Sequence, residues 1–126
     1  MLCMHNNYKT TGHLQTMQAQ RIKYLQEEIE TFPEDPFNYY ALALEYAGSD
    51  SGEAEKLFEK LVNHFPDYLP AYYQAANFYF EKGKHEKADV LFLRGISLAE
   101  KQGNEKTLRE LKGSYSIFKA ETDDEF

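Results

Sequence analysis

Apolar residues recur three and four positions apart in blocks along residues 14–119, and the blocks are broken by Gly, Pro and Asp. That period is helical, and nothing alternates strictly enough to suggest a strand. The pattern predicts six helices, over residues 14–31, 36–47, 51–64, 69–82, 85–102 and 104–119. The punctuation agrees. Asp35-Pro36 reads as an N-cap with proline at the first helical position, and Pro70 takes the same part later. Asp50 and Glu53 have the spacing of a capping box. Gly48 and Gly83 fall where left-handed helix ends are expected. In the last block Leu108, Leu111, Tyr115 and Phe118 keep helical spacing, although Gly113 lies among them at a cost of roughly 1 kcal/mol against alanine.

The blocks also repeat. Tyr39-x-x-Leu42-Ala43-x-x-Tyr46, Ala54-x-x-x-Phe58 and Pro66 are followed by Tyr72-x-x-Ala75-Ala76-x-x-Tyr79 and Ala88-x-x-x-Phe92. A large residue opens the first helix of each unit. Small residues then let a second helix approach, and Ala54 and Ala88 are the matching small residues on that second helix. Tyr46 to Ala54 spans eight positions and Tyr79 to Ala88 nine, so the first turn is one residue shorter.

This order of large, small and aromatic residues resembles the tetratricopeptide repeat, a helix–turn–helix unit of about 34 residues. The resemblance runs from roughly residue 21 to residue 99. Tyr stands for the family's Trp and Ala for its Gly. Glu100 replaces the closing Pro, so the fifth helix is expected to run on. Phe32-Pro33 recurs as Phe65-Pro66, and Leu25 and Ile29 recur as Phe58 and Val62, each at an offset of 33. A degenerate copy, with Arg21 where a small residue belongs, therefore lies upstream. Terminal repeats are commonly atypical. The implied fold is all-α, a right-handed solenoid of antiparallel helix pairs. Its expected parts are a disordered leader (1–16), a single domain over 17–120, and an acidic tail (121–126). The domain divides into a partial unit (17–34), units 35–68 and 69–102, and a capping helix (104–119).

Composition narrows the function. At 126 residues one domain buries roughly two-thirds of its unfolded surface. No apolar run approaches the ~18 residues of a membrane span, and no basic-then-apolar N-terminal layout suggests secretion. The single Cys3 has no partner for an internal disulfide, so a cytoplasmic setting is expected. The net charge is −7, and no basic stripe offers itself to a phosphate backbone. Neither nucleic acid nor membrane is an expected partner.

In tetratricopeptide stacks the first helix of each unit lines a concave groove. By that resemblance the groove positions are Phe37, Tyr40, Leu44, Tyr73, Asn77 and Phe80. Apart from Asn77 they are aromatic or aliphatic, which fits an apolar protein or peptide ligand, with the Asn77 amide bonding its backbone. The competing expectation is a groove filled by the leader or by the capping helix, which makes the same residues core. Some family members clamp a C-terminal carboxylate with Asn, Lys and Arg. Here Asn77 matches one such Asn, but Leu44 and Tyr40 stand at the other places, and the clamp is unsupported.

Chemistry is hard to find. His5, His13, His64 and His85 lack the spacing of a helical zinc or di-iron site. Gly83-Lys84 lacks the earlier glycine of a phosphate loop. Glu27-Glu28-x-Glu30 reads as a wet helix face, as do Glu53, Glu55, Lys56, Glu59 and Lys60. No catalytic, metal-binding or cofactor-binding residue is assigned and no cofactor is expected. The sequence points to a non-catalytic adaptor. The alternative is a self-assembling helical-repeat protein pairing as a homodimer through an exposed end. A secretion-type chaperone is a weaker third reading.

Overall fold

In a computed structural model, the structure describes residues 2–123, with side chains described from Thr16 onward. The helices are α1 (Leu2–Thr31), α2 (Pro36–Ala47), α3 (Ser51–His64), α4 (Pro70–Glu81), α5 (His85–Gln102) and α6 (Glu105–Thr122). Among the described residues there is no strand, and the all-α class holds. The bounds of α1 reach back to Leu2. The leader expected over 1–16 lies, but for Thr16, outside the residues described at side-chain level, and positions 124–126 of the expected tail lie outside the described residues. The chain divides into two compact units, Met1–Leu57 and Phe58–Phe126, with the division falling inside α3.

In the first unit α1 and α2 form an antiparallel hairpin. Asp35 caps α2 by accepting from the Phe37 amide at 3.0 Å, and Pro36 sits in the first turn. The Tyr39 hydroxyl donates to the Pro33 carbonyl at 2.9 Å, tying the helix to the loop that precedes it. Leu25, Tyr39, Leu42 and Ala43 are buried. Arg21, at the small-residue position, lies on the surface and donates to the Glu45 carboxylate at 2.9 and 3.5 Å. The turn after α2 corrects one expectation. Gly48 is right-handed, with φ −93° and ψ −9°. The one-residue-shorter turn explains it: the Asp50 amide continues the helical ladder onto the Tyr46 carbonyl at 2.7 Å, so no left-handed residue is inserted. Asp50 accepts from the Glu53 amide at 3.2 Å. The reverse half of a capping box is absent because the Asp50 amide is already engaged and the Glu53 carboxylate meets Lys56 at 3.1 Å.

In the second unit the longer turn does carry the left-handed residue. Gly83 has φ +76°, its amide donates to Phe80 and the Lys84 amide to Tyr79. Gly103 repeats this at φ +70°, with Gly103 to Glu100 and Asn104 to Ala99. Both are the paired bonds of a Schellman ending. Helix α5 does run past Glu100, as expected, and ends at Gln102. Pro70 opens α4, but its N-cap is Leu69 with no side-chain cap bond. Asn104 caps α6 by accepting from the Thr107 amide at 3.1 Å. Tyr72 repeats the tie of Tyr39, its hydroxyl donating to the Pro66 carbonyl at 2.7 Å.

The core of this unit is built on close approach. Phe58, Leu61, Tyr72, Ala75, Ala76, Ala88, Phe92, Ala99 and Leu111 are at most 2% exposed. Gly95 is buried where α4, α5 and α6 meet, and a Cβ there would stand 2.8 Å from the Tyr72 Cβ and 3.2 Å from both Leu111 methyls. Helix α6 closes over an aromatic cluster. Phe118 stacks on Tyr115 at 5.9 Å and lies 5.4 Å from Phe92. The Tyr115 hydroxyl donates to Asp89 at 2.8 Å.

Candidate functional site

The six expected groove residues lie on two short helices, one in each unit. On α2, Phe37, Tyr40 and Leu44 fall on the face opposite the buried Tyr39, Leu42 and Ala43. Phe37 is 55% and Leu44 39% exposed, and Tyr40 is half-buried. Large apolar side chains bare on a helix whose other face is fully used are surplus to the core.

On α4, Tyr73, Asn77 and Phe80 are all half-buried. The Asn77 amide nitrogen donates to the Tyr73 carbonyl one turn back, at 2.9 Å. That bond uses one of its two N–H groups and fixes the orientation of the rest of the amide. Phe80 meets Phe118 of α6 edge-on at 5.2 Å and His85 at 6.3 Å. Helix α6 therefore covers part of the Phe80 ring.

The two helices share an electrostatic character. Neither contains a Lys or Arg, and each has one acidic residue, Glu45 and Glu81. Glu45 is held by Arg21 and also accepts, at its backbone carbonyl, from the Gln18 amide at 3.2 Å. The helices themselves supply aromatic edges and carboxylate, and the cation beside Glu45 is Arg21 of α1.

The second unit has a further concavity that the sequence reading omits. A cleft of about 540 Å³ is lined by Val62, Tyr79, Val90 and Leu91, with Glu59, Glu86 and Lys87 among its polar residues. Lys87 closes one side, reaching Glu59 at 3.4 Å and lying 5.3 Å from the Tyr79 ring centre. Its signal in the sequence is Val90, an aliphatic residue 51% exposed on α5.

Two tyrosines have perturbed acidities, both in the second unit. Burial raises the Tyr72 phenol above the usual range, and the Arg94 guanidinium, which donates to its hydroxyl at 3.3 Å, opposes that. Burial also raises Tyr115, reinforced by its hydrogen bond to the Asp89 carboxylate. Both changes keep a phenol neutral and suit structural donors rather than a base. Among the described residues no group of His, Cys, Asp and Glu is placed to hold a metal ion. Nor, among them, is any helix long and apolar enough to cross a membrane.

Comparison with solved structures finds several similar chains, among them two structures of one domain. One is the solution structure of a tetratricopeptide repeat domain protein from Salinibacter ruber, 36% identical over 70% of this chain and 90% of that one, with a TM-score of 0.66. The other is a crystal structure of a tetratricopeptide repeat domain protein from the same organism, 35% identical over 69% of this chain and 98% of that one, with a TM-score of 0.65. No protein-family model and no curated protein matches the chain.

Proposed function

The chain belongs to the tetratricopeptide-repeat family, and we propose that it is a non-catalytic, cytoplasmic adaptor that binds an apolar protein segment. The binding residues are Phe37, Tyr40 and Leu44 on α2 and Tyr73, Asn77 and Phe80 on α4. The observation that carries this reading is the exposure of Phe37 and Leu44. Aromatic and aliphatic side chains left bare beside a finished core are anchors for a partner.

The charge of the two helices selects among ligands. Glu45 is neutralised by Arg21, but Glu81 on α4, a helix with no basic residue, favours an apolar segment carrying Lys or Arg over one ending in carboxylates. The test is capture from native lysate read by mass spectrometry, with wild type beside Phe37→Ala/Leu44→Ala. Both residues are exposed, so the variant should melt within about 0.5 kcal/mol of wild type. A protein bound by wild type and lost by the still-folded variant supports the adaptor. Identical captures from both would remove these residues from the binding face.

A further inference from the structure

The region where α4 turns into α5 sorts its charges onto two sides. Lys82 lies 5.7 Å from the Phe78 ring centre, and Lys84 and Lys87 lie 6.0 and 5.3 Å from that of Tyr79. Phe78 in turn packs on Phe58 of α3, with ring centres 5.2 Å apart. The three lysines are thus drawn to the α3 side, where Lys87 also meets Glu59. Carboxylates remain on the side facing α6. There a pocket of about 190 Å³ is lined by His85, Glu86, Asp89, Phe118, Lys119 and Thr122.

We propose that this pocket receives an arginine side chain of the bound protein segment, a step that rests on the adaptor reading above. The buried Phe118 forms its floor and the half-buried His85 ring a wall, 5.9 Å from it and inclined at 80°. Asp89 is half-buried, and one of its oxygens accepts from the Tyr115 hydroxyl at 2.8 Å. Its other oxygen and the Glu86 carboxylate have no partner among the described residues. Lys119, the ammonium in the lining, is already engaged by Asp123 at 3.4 Å. The Thr122 hydroxyl is spent on the Phe118 carbonyl at 2.8 Å. With Asp123 included, three carboxylates stand against one ammonium, so the pocket is short of positive charge.

Arginine suits it better than lysine. A guanidinium lies against aromatic rings and holds five N–H donors in a fixed fork. Glu86 and Asp89 are three residues apart on one helix and so are neighbours on its surface, with Cβ atoms about 5–6 Å apart. A fork spans both, whereas a compact ammonium serves one at a time. The pocket also adjoins the binding residue Phe80, whose ring meets His85 at 6.3 Å and Phe118 at 5.2 Å.

The probe is acetyl-arginine amide, titrated to about 50 mM at low salt into the full chain and followed by nitrogen-15 NMR. Acetyl-lysine amide and acetyl-citrulline amide are the comparisons, citrulline having the shape of arginine without its charge. Arginine should give saturable shifts at residues 85–90 and 118–122, lysine should bind at least about three-fold more weakly, and citrulline should give none. Asp89→Asn keeps an acceptor for the Tyr115 hydroxyl and should weaken arginine about ten-fold or more. Glu110→Gln, an exposed carboxylate lost elsewhere on α6, should leave it unchanged. No saturable shift from arginine, an equal response to lysine or citrulline, or equal weakening in both variants overturns the proposal. Capture from lysate separates its failure from that of the adaptor. Partners kept by Asp89→Asn but lost by Phe37→Ala/Leu44→Ala would overturn the pocket alone. Partners kept by both variants, with arginine still bound at the pocket, would remove the adaptor reading and leave an arginine site.

Discussion

Gly95 and Gly113 are both glycines inside helices, and replacing each with alanine should move stability in opposite directions. At Gly95 a new Cβ would stand 2.8 Å from the Tyr72 Cβ. Carbon atoms in ordinary contact keep about 3.5–4.0 Å apart, so the shortfall is at least ~0.7 Å. The obstacle is the root of a side chain and cannot rotate away; α4 and α5 must separate, and contacts around Tyr72, Phe92 and Leu111 loosen with them. Overpacking of this kind costs typically about 1–3 kcal/mol. Against it stands the helix-propensity gain of Gly→Ala, about 1 kcal/mol. Because backbone must shift, we expect the clash to win by about 1–2 kcal/mol. At Gly113 nothing lies within 4 Å, so the propensity gain of about 1 kcal/mol stands alone. The two variants should then differ by about 2–3 kcal/mol, or roughly 8–12 °C in Tm for a chain of this size. Urea titrations followed by circular dichroism give the midpoints, and an unchanged m-value licenses the comparison. Stabilisation by Gly95→Ala comparable to that by Gly113→Ala would refute the close approach of these helices.

The turn glycines give a second pair: Gly83→Ala, at φ +76°, should cost about 1–2 kcal/mol. Gly48→Ala, at φ −93°, should be neutral or slightly stabilising, and equal costs in thermal melts would contradict the two turn geometries. Tyr72→Phe should cost about 1–2 kcal/mol, since the Pro66 carbonyl loses its donor and Arg94 its acceptor. Tyr72 and Tyr115 both ionise less readily in the fold than the usual value near 10. Their contribution to stability is therefore complete below pH ~10 and is lost as pH rises through the folded values, because the unfolded chain releases those protons first. Urea midpoints should hold below pH ~10 and fall above it, and the fall should shrink in Tyr72→Phe/Tyr115→Phe.

Much of this fold was legible because its signals are local. Proline at a helix start, a capping Asp two or three residues before an amide, and a small residue every repeat act within one turn of the chain. The starts of α2 and α3 follow from them directly, and that of α5 from the left-handed Gly83 before it. Gly48 was misread for an instructive reason. Glycine permits a left-handed ending without requiring it, and the deciding fact was the turn length, eight positions against nine. Gly95 was invisible as a contact site because its role depends on two other helices, one of them beyond the repeat. The same limit applies to the candidate site. Periodicity put Phe37, Leu44 and Phe80 in one class, since it reports which side of a helix a residue occupies. What stands opposite that side is a tertiary fact. At Phe80 it is Phe118, whose position in α6 follows from the aromatic cluster with Phe92 and Tyr115. At Phe37 the ring is 55% exposed. The tyrosine standing where the family has tryptophan shows the converse, a departure that the structure explains. In both Tyr39 and Tyr72 the phenol reaches the carbonyl of the proline six residues earlier. The same tie, made twice at the same offset, shows that the substitution belongs to the design of the repeat in this chain.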